Sequence, residues 1–353
     1  EGGEGGGDDD LGTRFEERIW SHKWDLTNAW TGTSGVTVQS YHISPALWGT
    51  EGCAIGRIGV ICHETGHFFG LPDLYDGDGG SGVGTTCLMG NSWGYSGDQY
   101  YPPAMSAWAK LRLGWADPVV LGHGTHSVEL HTAATSDKVY VMVNPDNKKE
   151  YFLMENKQHS DFFEKNIPQT GITIYHIDDN AAFDSESYPG EADWPEEHYR
   201  MAVVQPDGKF DLEKGVNLGD EGDVFHGAGM NYVGPDGVKS SVDGSTHSQP
   251  TTDWYTGGQF KSSGITISDI STSGPIMTFK VEVTGNGGEE KEYDWGGDGR
   301  DAETCGGTKD PCENHMDCCG PPKRRCKFIK KLGRMGCVVK KSKKRKRKAL
   351  RRG

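Results

Sequence analysis

Two histidines four positions apart, with a glutamate beside the first, stand in the run His63-Glu64-Thr65-Gly66-His67. On a helix, positions i and i+4 lie one above the other, so both imidazoles reach a single ion. Neutral imidazole is a good zinc ligand, and Glu64 faces the same side, placed to take a proton from water on the metal. The bland alternative is a helix with two surface histidines and a solvated glutamate. The residues that follow, Phe68-Phe69-Gly70-Leu71-Pro72-Asp73, favour metal chemistry. Gly70 permits a sharp turn that carries Asp73 back towards the metal as a third ligand. A downstream helix-borne glutamate is excluded, because no Glu occurs between Glu64 and Glu129. Asp76 and Asp78 are nearby competitors, although the glycine-rich DGDGG loop that holds them reads better as a turn or a calcium contact. Met89, 16 residues past Asp73, suits a methionine turn beneath the site, with a buried core methionine as the plainer reading.

These residues need elements to hold them. The spacing of Ile55, Ile58, Ile61 and Cys62 predicts a helix from about Ala54 to Phe69 with that face buried. Gly70 and Pro72 supply its stop signal. One clear strand precedes it, Gly35–Ile43, and a second helix is predicted over Pro103–Leu113, with Ala104, Trp108 and Leu111 on one side. From Val119 to about Val283 the texture changes to short β-branched and aromatic runs: VYVMV (139–143), EYFLMEN (150–156), GITIYHI (171–177), GITISDI (264–270) and PIMTFKVEV (275–283). Such runs predict antiparallel β-structure, with a sandwich as the expected packing. No internal repeat is visible.

HETGHFFGLPDLYD, LMGNSWG and SAWAKLRLGW together resemble the secreted immune inhibitor A-type metalloproteases. IWSHKW (19–24), EYFLMENKQ (150–158), GITIYHIDD (171–179) and VVQPDGKFDLEKG (203–215) extend the resemblance over roughly residues 12–285. It implies an α+β chain: a metzincin-like zinc protease domain followed by an antiparallel β-rich, sandwich-like domain. The family's zinc motif falls on His63, Glu64, His67 and Asp73, which makes His63, His67 and Asp73 the metal ligands and Glu64 the catalytic base. Zinc is the implied cofactor and protein or peptide chains the substrates. Calcium is a second ion the family often binds, here without an assignable ligand set. Tyr95 could steady an oxyanion, though packing explains it equally well. One departure stands out: only 62 residues precede His63, so the catalytic domain reads as N-terminally incomplete.

The chain has 353 residues and a net charge of −14. From Asp301 onward there are 18 basic and 5 acidic residues, leaving 19 and 46 for the rest. Aromatic residues at 10% argue against wholesale disorder. No apolar run is long enough for a membrane-spanning helix. Cys305, Cys312, Cys318, Cys319, Cys326 and Cys337 form a ladder that resembles the inhibitor cystine knot. That resemblance implies the pairs Cys305–Cys319, Cys312–Cys326 and Cys318–Cys337. So short a module needs disulfides to fold, which places the protein outside the cytosol. Cys62 and Cys87 are expected within bridging distance if the methionine turn lies under the helix. The tail VVKKSKKRKRKALRRG is either a solvated run or an attachment to polyanions or a cell surface. It has no interleaved aromatics, so nucleic acid is not an expected partner.

The expected organisation is therefore 1–118 catalytic, 119–284 β-rich, 285–303 a Gly/acidic linker, 304–338 a cystine-knot-like module and 339–353 a basic tail. The expected function is a secreted zinc endopeptidase that uses Glu64-assisted attack of zinc-bound water. The competing reading is a catalytically incomplete protease-like scaffold presenting a disulfide-rich binding module.

Overall fold

Two long strands precede the helix where the sequence predicts one. β1 (His22–Thr31) pairs antiparallel with β2 (Thr37–Ile43), His22 opposite Ile43, with a bulge between Asp25 and Trp30. β1 lacks a clean alternation: Trp24 and Trp30 are both exposed on the ribbon, among polar neighbours. A short pair follows, β3 (Leu47–Trp48) with β4 (Ala54–Ile55). The computed structural model describes residues 14, 17–48, 54–76, 79–159, 162–181 and 187–284, and the backbone alone of 324–329 and 334–339.

Helix α1 spans Ile58–Phe68 and begins later than the expected Ala54. Ala54 and Ile55 belong to β4, and the Gly56 amide donates to the Ala46 carbonyl at 2.7 Å, which holds the chain outside a helix. No side chain of the preceding residue caps α1; instead the Val60 amide donates to Gln99 Oε1 at 3.2 Å. The Arg57 guanidinium lies 4.1 Å and 4.0 Å from the Trp48 and Tyr100 ring centres, a pair of cation–π contacts that fixes the entry to the helix.

The buried face of α1 is not the one its isoleucines predict. Ile55 is 82% and Ile58 44% exposed, whereas Gly59, Val60, His63, Glu64 and Gly66 are buried. Close backbone approach explains the choice. A Cβ on Gly59 would fall 2.2 Å from the Ser92 carbonyl oxygen, and one on Gly66 2.5 Å from Met89 Sδ. Two glycines thus let the chemical face of the helix sit directly on the 88–99 segment.

Helix α2 (Ala107–Arg112) occupies the centre of the predicted 103–113 stretch and buries Trp108 and Leu111 as expected. Its start is set by Ser106, whose Oγ accepts from the Ala109 amide at 3.3 Å. Beyond it the chain is β-rich. A five-stranded sheet has the order β10-β9-β8-β7-β5, from β5 (Asp117–Val120), β7 (Lys138–Val143), β8 (Glu150–Lys157), β9 (Gly171–Asp178) and β10 (Met201–Val203). Only the β5–β7 pair in it is parallel. An antiparallel six-stranded sheet has the order β13-β12-β11-β14-β15-β6, from β6 (Gly124–His131), β11 (Tyr232–Gly234), β12 (Gly237–Lys239), β13 (Thr246–His247), β14 (Ile265–Ser268) and β15 (Ile276–Val283). Each of the five runs that the sequence marks as β overlaps one of these strands, although Asp269 and Ile270 lie beyond β14.

Phe152, Met154, Ile172 and Ile174 of the first sheet share one core with Met277, Phe279 and Val281 of the second. β15 alternates exposed and buried, as a sheet with one wet face should, but every residue of β8 and β9 is buried. Their second face packs against Thr86 and the α2 residue Lys110. There Tyr175 Oη donates to Glu155 Oε1 at 2.7 Å, and Lys110 of α2 sits 3.8 Å from Glu155 Oε2. Lys157 joins at 3.4 Å from Glu155 and 2.8 Å from Glu164. Burial opposes the charge of Glu155, but Lys157 and Lys110 outweigh it and hold the carboxyl below its ordinary range.

The chain divides into two compact units, Glu1–Lys291 and Glu292–Gly353. In the second, β16 (Arg324–Ile329) and β17 (Arg334–Val339) pair antiparallel with Cys326 opposite Cys337. Cys305, Cys312, Cys318 and Cys319, and the basic tail, lie outside the described residues, so the three expected knot pairs do too. The expected Cys62–Cys87 bridge is absent: both thiols are free. Cys87 Sγ is turned instead to the amides of Met89 and Ser106, at 3.4 Å each, while Cys62 is only part-buried on α1.

Two stability predictions follow from this packing. Gly59→Ala should cost about 1–3 kcal/mol, because the clash is with backbone, and is read from thermal unfolding. Asp223 carries a carboxyl pushed up to about 7, first by burial and then by the charges of Asp220, Asp207 and Asp211. A folded pKa raised above the unfolded one gives stability that is full below the unfolded value and lost as pH rises through about 7. Asp223→Asn keeps an acceptor for the Asp220 amide, so its melting temperature should gain on the wild type between pH 5 and 8.

Candidate metal centre

The end of α1 determines what meets its histidines. Gly70 adopts φ +83°, a left-handed conformation that any side chain would strain. Its amide donates to the His67 carbonyl at 3.0 Å, and the Leu71 amide donates to the Gly66 carbonyl at 3.3 Å. Those two bonds are a Schellman cap, which closes the helix and reverses the chain. Pro72 prevents any return to helix, and Asp73 comes back over the last turn.

There, His63 Nε2 lies 2.9 Å and His67 Nε2 3.2 Å from the same atom, Asp73 Oδ1. The two imidazoles meet edge to face, with ring centres 4.8 Å apart. Both rings are oriented by backbone carbonyls: His63 Nδ1 donates to Leu88 O at 3.1 Å, and His67 Nδ1 to Leu71 O at 2.7 Å. A carbonyl only accepts, so each Nδ1 carries a proton and each Nε2 is the ring atom that faces Asp73. Neutral imidazoles in this arrangement would turn both Nε2 lone pairs and the Asp73 carboxylate towards one point, where a cation could sit.

Burial disfavours a charged His67, yet Asp73 and the Leu71 carbonyl outweigh it and raise the imidazole's pKa. Burial likewise pushes the Asp73 carboxyl up, but hydrogen bonds to both imidazoles drive it well below its usual range. Ligands 2.0–2.2 Å from a tetrahedral ion stand about 3.3 Å apart, close to the separations seen here. His63, His67 and Asp73 form a triple of potential metal ligands within 4.8 Å of one another among the described residues. The donor set therefore fits zinc.

Glu64 is buried at 5% exposure, close enough that its charge contributes to raising His67 and Tyr75. Met89 is fully buried under the helix against Gly66. Asp76 accepts from Tyr199 Oη at 2.7 Å rather than joining the imidazoles, and Asp78 lies outside the described residues. Sequence reasoning missed Tyr75. Its ring stacks on His63 at 6.1 Å with an 18° interplanar angle, and burial followed by the Asp73 charge pushes its phenol up. Its position two residues past Asp73 in LPDLY was the available signal. Tyr95 is half-exposed and faces a different part of the surface, described below.

Two imidazoles and a carboxylate beside a buried glutamate are the equipment of a metallopeptidase, and the comparison with protein families implies that class. Residues 1–116 match the family described as immune inhibitor A peptidase M6, catalytic domain, so this stretch is similar to immune inhibitor A-type peptidases. Among curated proteins, none matches the chain. A peptidase acts on protein or peptide chains, and among the described residues no helix is long and apolar enough to cross a membrane.

Gly70→Ala should destabilise the fold by roughly 1–2 kcal/mol through left-handed strain. It should also weaken zinc binding by displacing Asp73, measured by competition with a chromogenic chelator.

Proposed function

We propose that the chain is a secreted zinc-dependent endopeptidase, with a metzincin-like catalytic domain at 1–118 and a β-rich domain at 119–284. The observation that carries this reading is the convergence of His63 Nε2 and His67 Nε2 on Asp73 Oδ1, with their rings oriented by Leu88 and Leu71. His63, His67 and Asp73 would hold the ion. When bound, zinc supplies Lewis-acid chemistry, acidifying water and polarising a carbonyl. Glu64 takes the water's proton and returns it to the leaving amine. Tyr75, stacked on His63, limits the ring's freedom on the open side. Met89 supports the helix from below and lets His63 and Glu64 stay buried without shifting.

The family resemblance to extracellular peptidases supports secretion, and the cysteine ladder agrees with it. In this reading, 285–303 links the enzyme to a cystine-knot-like module at 304–338, and the basic tail at 339–353 attaches to polyanions. Calcium has no comparable ligand grouping among the described residues. The competing scaffold reading is disfavoured by the intact Glu64, since a non-catalytic site has no use for a buried carboxylate there.

Casein hydrolysis by the full chain tests the proposal. Glu64→Gln should lower activity by about 10²–10⁴-fold. A zinc chelator should abolish it, and metal analysis should give about one zinc per chain, largely lost in His67→Ala. Equal background hydrolysis in all samples would reject catalysis.

A further inference from the structure

An open groove of about 480 Å³ lies between Ser81, Tyr95 and the 215–220 loop. The loop comes from the β-rich part of the chain, far from the metal ligands in sequence, yet it is clamped to the segment beside them. Ser81 Oγ donates to Asn217 O at 2.7 Å, and the Thr85 amide and hydroxyl both donate to Leu218 O, at 2.7 and 2.8 Å. That same segment is bonded to the site: the Val83 amide donates at 2.9 Å to the carbonyl of Leu74, the residue after Asp73. Gly82 packs so closely on Tyr75 that a Cβ there would fall 2.8 Å from its Cα, and Tyr75 stacks on His63. Hydrogen bonds and packing thus join the groove wall at Ser81 to the metal centre through Gly82, Val83, Leu74 and Tyr75.

Its lining is mixed in a particular way. Tyr95, Val216 and Leu218 are 49%, 67% and 46% exposed and present apolar surface at the groove. Asp220 stands at the same groove. Its oxygens accept from the Gly222 amide at 2.6 Å and Asn217 Nδ2 at 3.1 Å, which leaves further acceptor capacity on the carboxylate. Asp223, whose carboxyl is pushed up first by burial, also feels the charges of Asp220, Asp207 and Asp211, so these carboxylates lie close together.

We propose that this groove is a substrate subsite for a lysine or arginine side chain of the peptide being cleaved, with Tyr95, Val216 and Leu218 covering its stem and Asp220 meeting its cation. The inference rests on the peptidase reading and extends it to specificity. A long basic side chain matches both halves of the lining, because its methylenes bury against apolar surface while its charge reaches the acid. An aromatic wall such as Tyr95 adds cation–π attraction. An acidic side chain would be repelled by the same carboxylates, and a purely aliphatic one would strip water from Asp220 without replacing it.

The test uses the zinc-loaded full chain and paired peptides that carry lysine or norleucine at one position, scanned across the residues flanking the cleaved bond. At one position the lysine peptide should be cleaved about tenfold faster in kcat/KM, the size expected of one charge-assisted hydrogen bond. Val216→Lys, at an exposed site where folding is undisturbed, and Asp220→Asn should each bring that ratio towards one, and added salt should do the same. A wild-type ratio of one at every position overturns the proposal, and so does a ratio that neither substitution changes. If the wild type cleaves neither the peptides nor casein, the endopeptidase reading fails and the subsite falls with it.

Discussion

Two carbonyls at the end of α1, those of Gly66 and His67, accept from Leu71 and Gly70, and the candidate metal centre depends on that reversal. A helix alone places two imidazoles in line but supplies no third ligand from its own next turn. The left-handed Gly70 brings Asp73 back within 3.2 Å of both Nε2 atoms, and the same turn presents the Leu71 carbonyl to His67 Nδ1. One backbone motif therefore delivers one candidate ligand and orients the ring of another. The result is three potential metal-ligand atoms gathered within 4.8 Å of one another.

Supporting such a site requires burying a polar helix face, normally a costly choice. The structure meets the cost with backbone proximity rather than apolar packing. Gly59 and Gly66 remove the side chains that would hold α1 away from Ser92 and Met89. Leu88 and Gln99, from the segment beneath, accept from His63 Nδ1 and the Val60 amide. The residues just before that segment, Ser81, Thr85 and Thr86, are in turn bonded to Leu212, Leu218 and Tyr175 of the β-rich part of the chain. The distant loops are therefore part of what positions the site.

The sequence made the chemistry easier to read than the packing around it. The spacing of His63 and His67, Gly70 and Asp73 acts within a dozen residues, where local backbone geometry decides the outcome. The β runs were legible for a similar reason, since β-branched clusters between turn residues seldom fit another element. What was missed depended on long-range contacts. The isoleucine period of α1 pointed to a buried face that the fold leaves half-open, because two glycines on the opposite side approach more closely than any apolar side chain permits. β1 was hidden by its polar interruptions, and the helix start was decided by Gln99 and by the β3–β4 pair. Cys62 and Cys87 were close in the expected layout, but the Cys87 sulfur turns towards the Met89 and Ser106 amides. Tyr75 could be placed only once the reversal at Gly70 was known.

Zinc K-edge X-ray absorption on the loaded full chain would reveal most directly which atoms surround the ion. The expected result is a four-coordinate shell with two imidazole nitrogens and oxygen ligands at about 2.0–2.2 Å. A sulfur scatterer at about 2.3 Å, or a shell without imidazole, would contradict the convergence of His63, His67 and Asp73 on one metal ion.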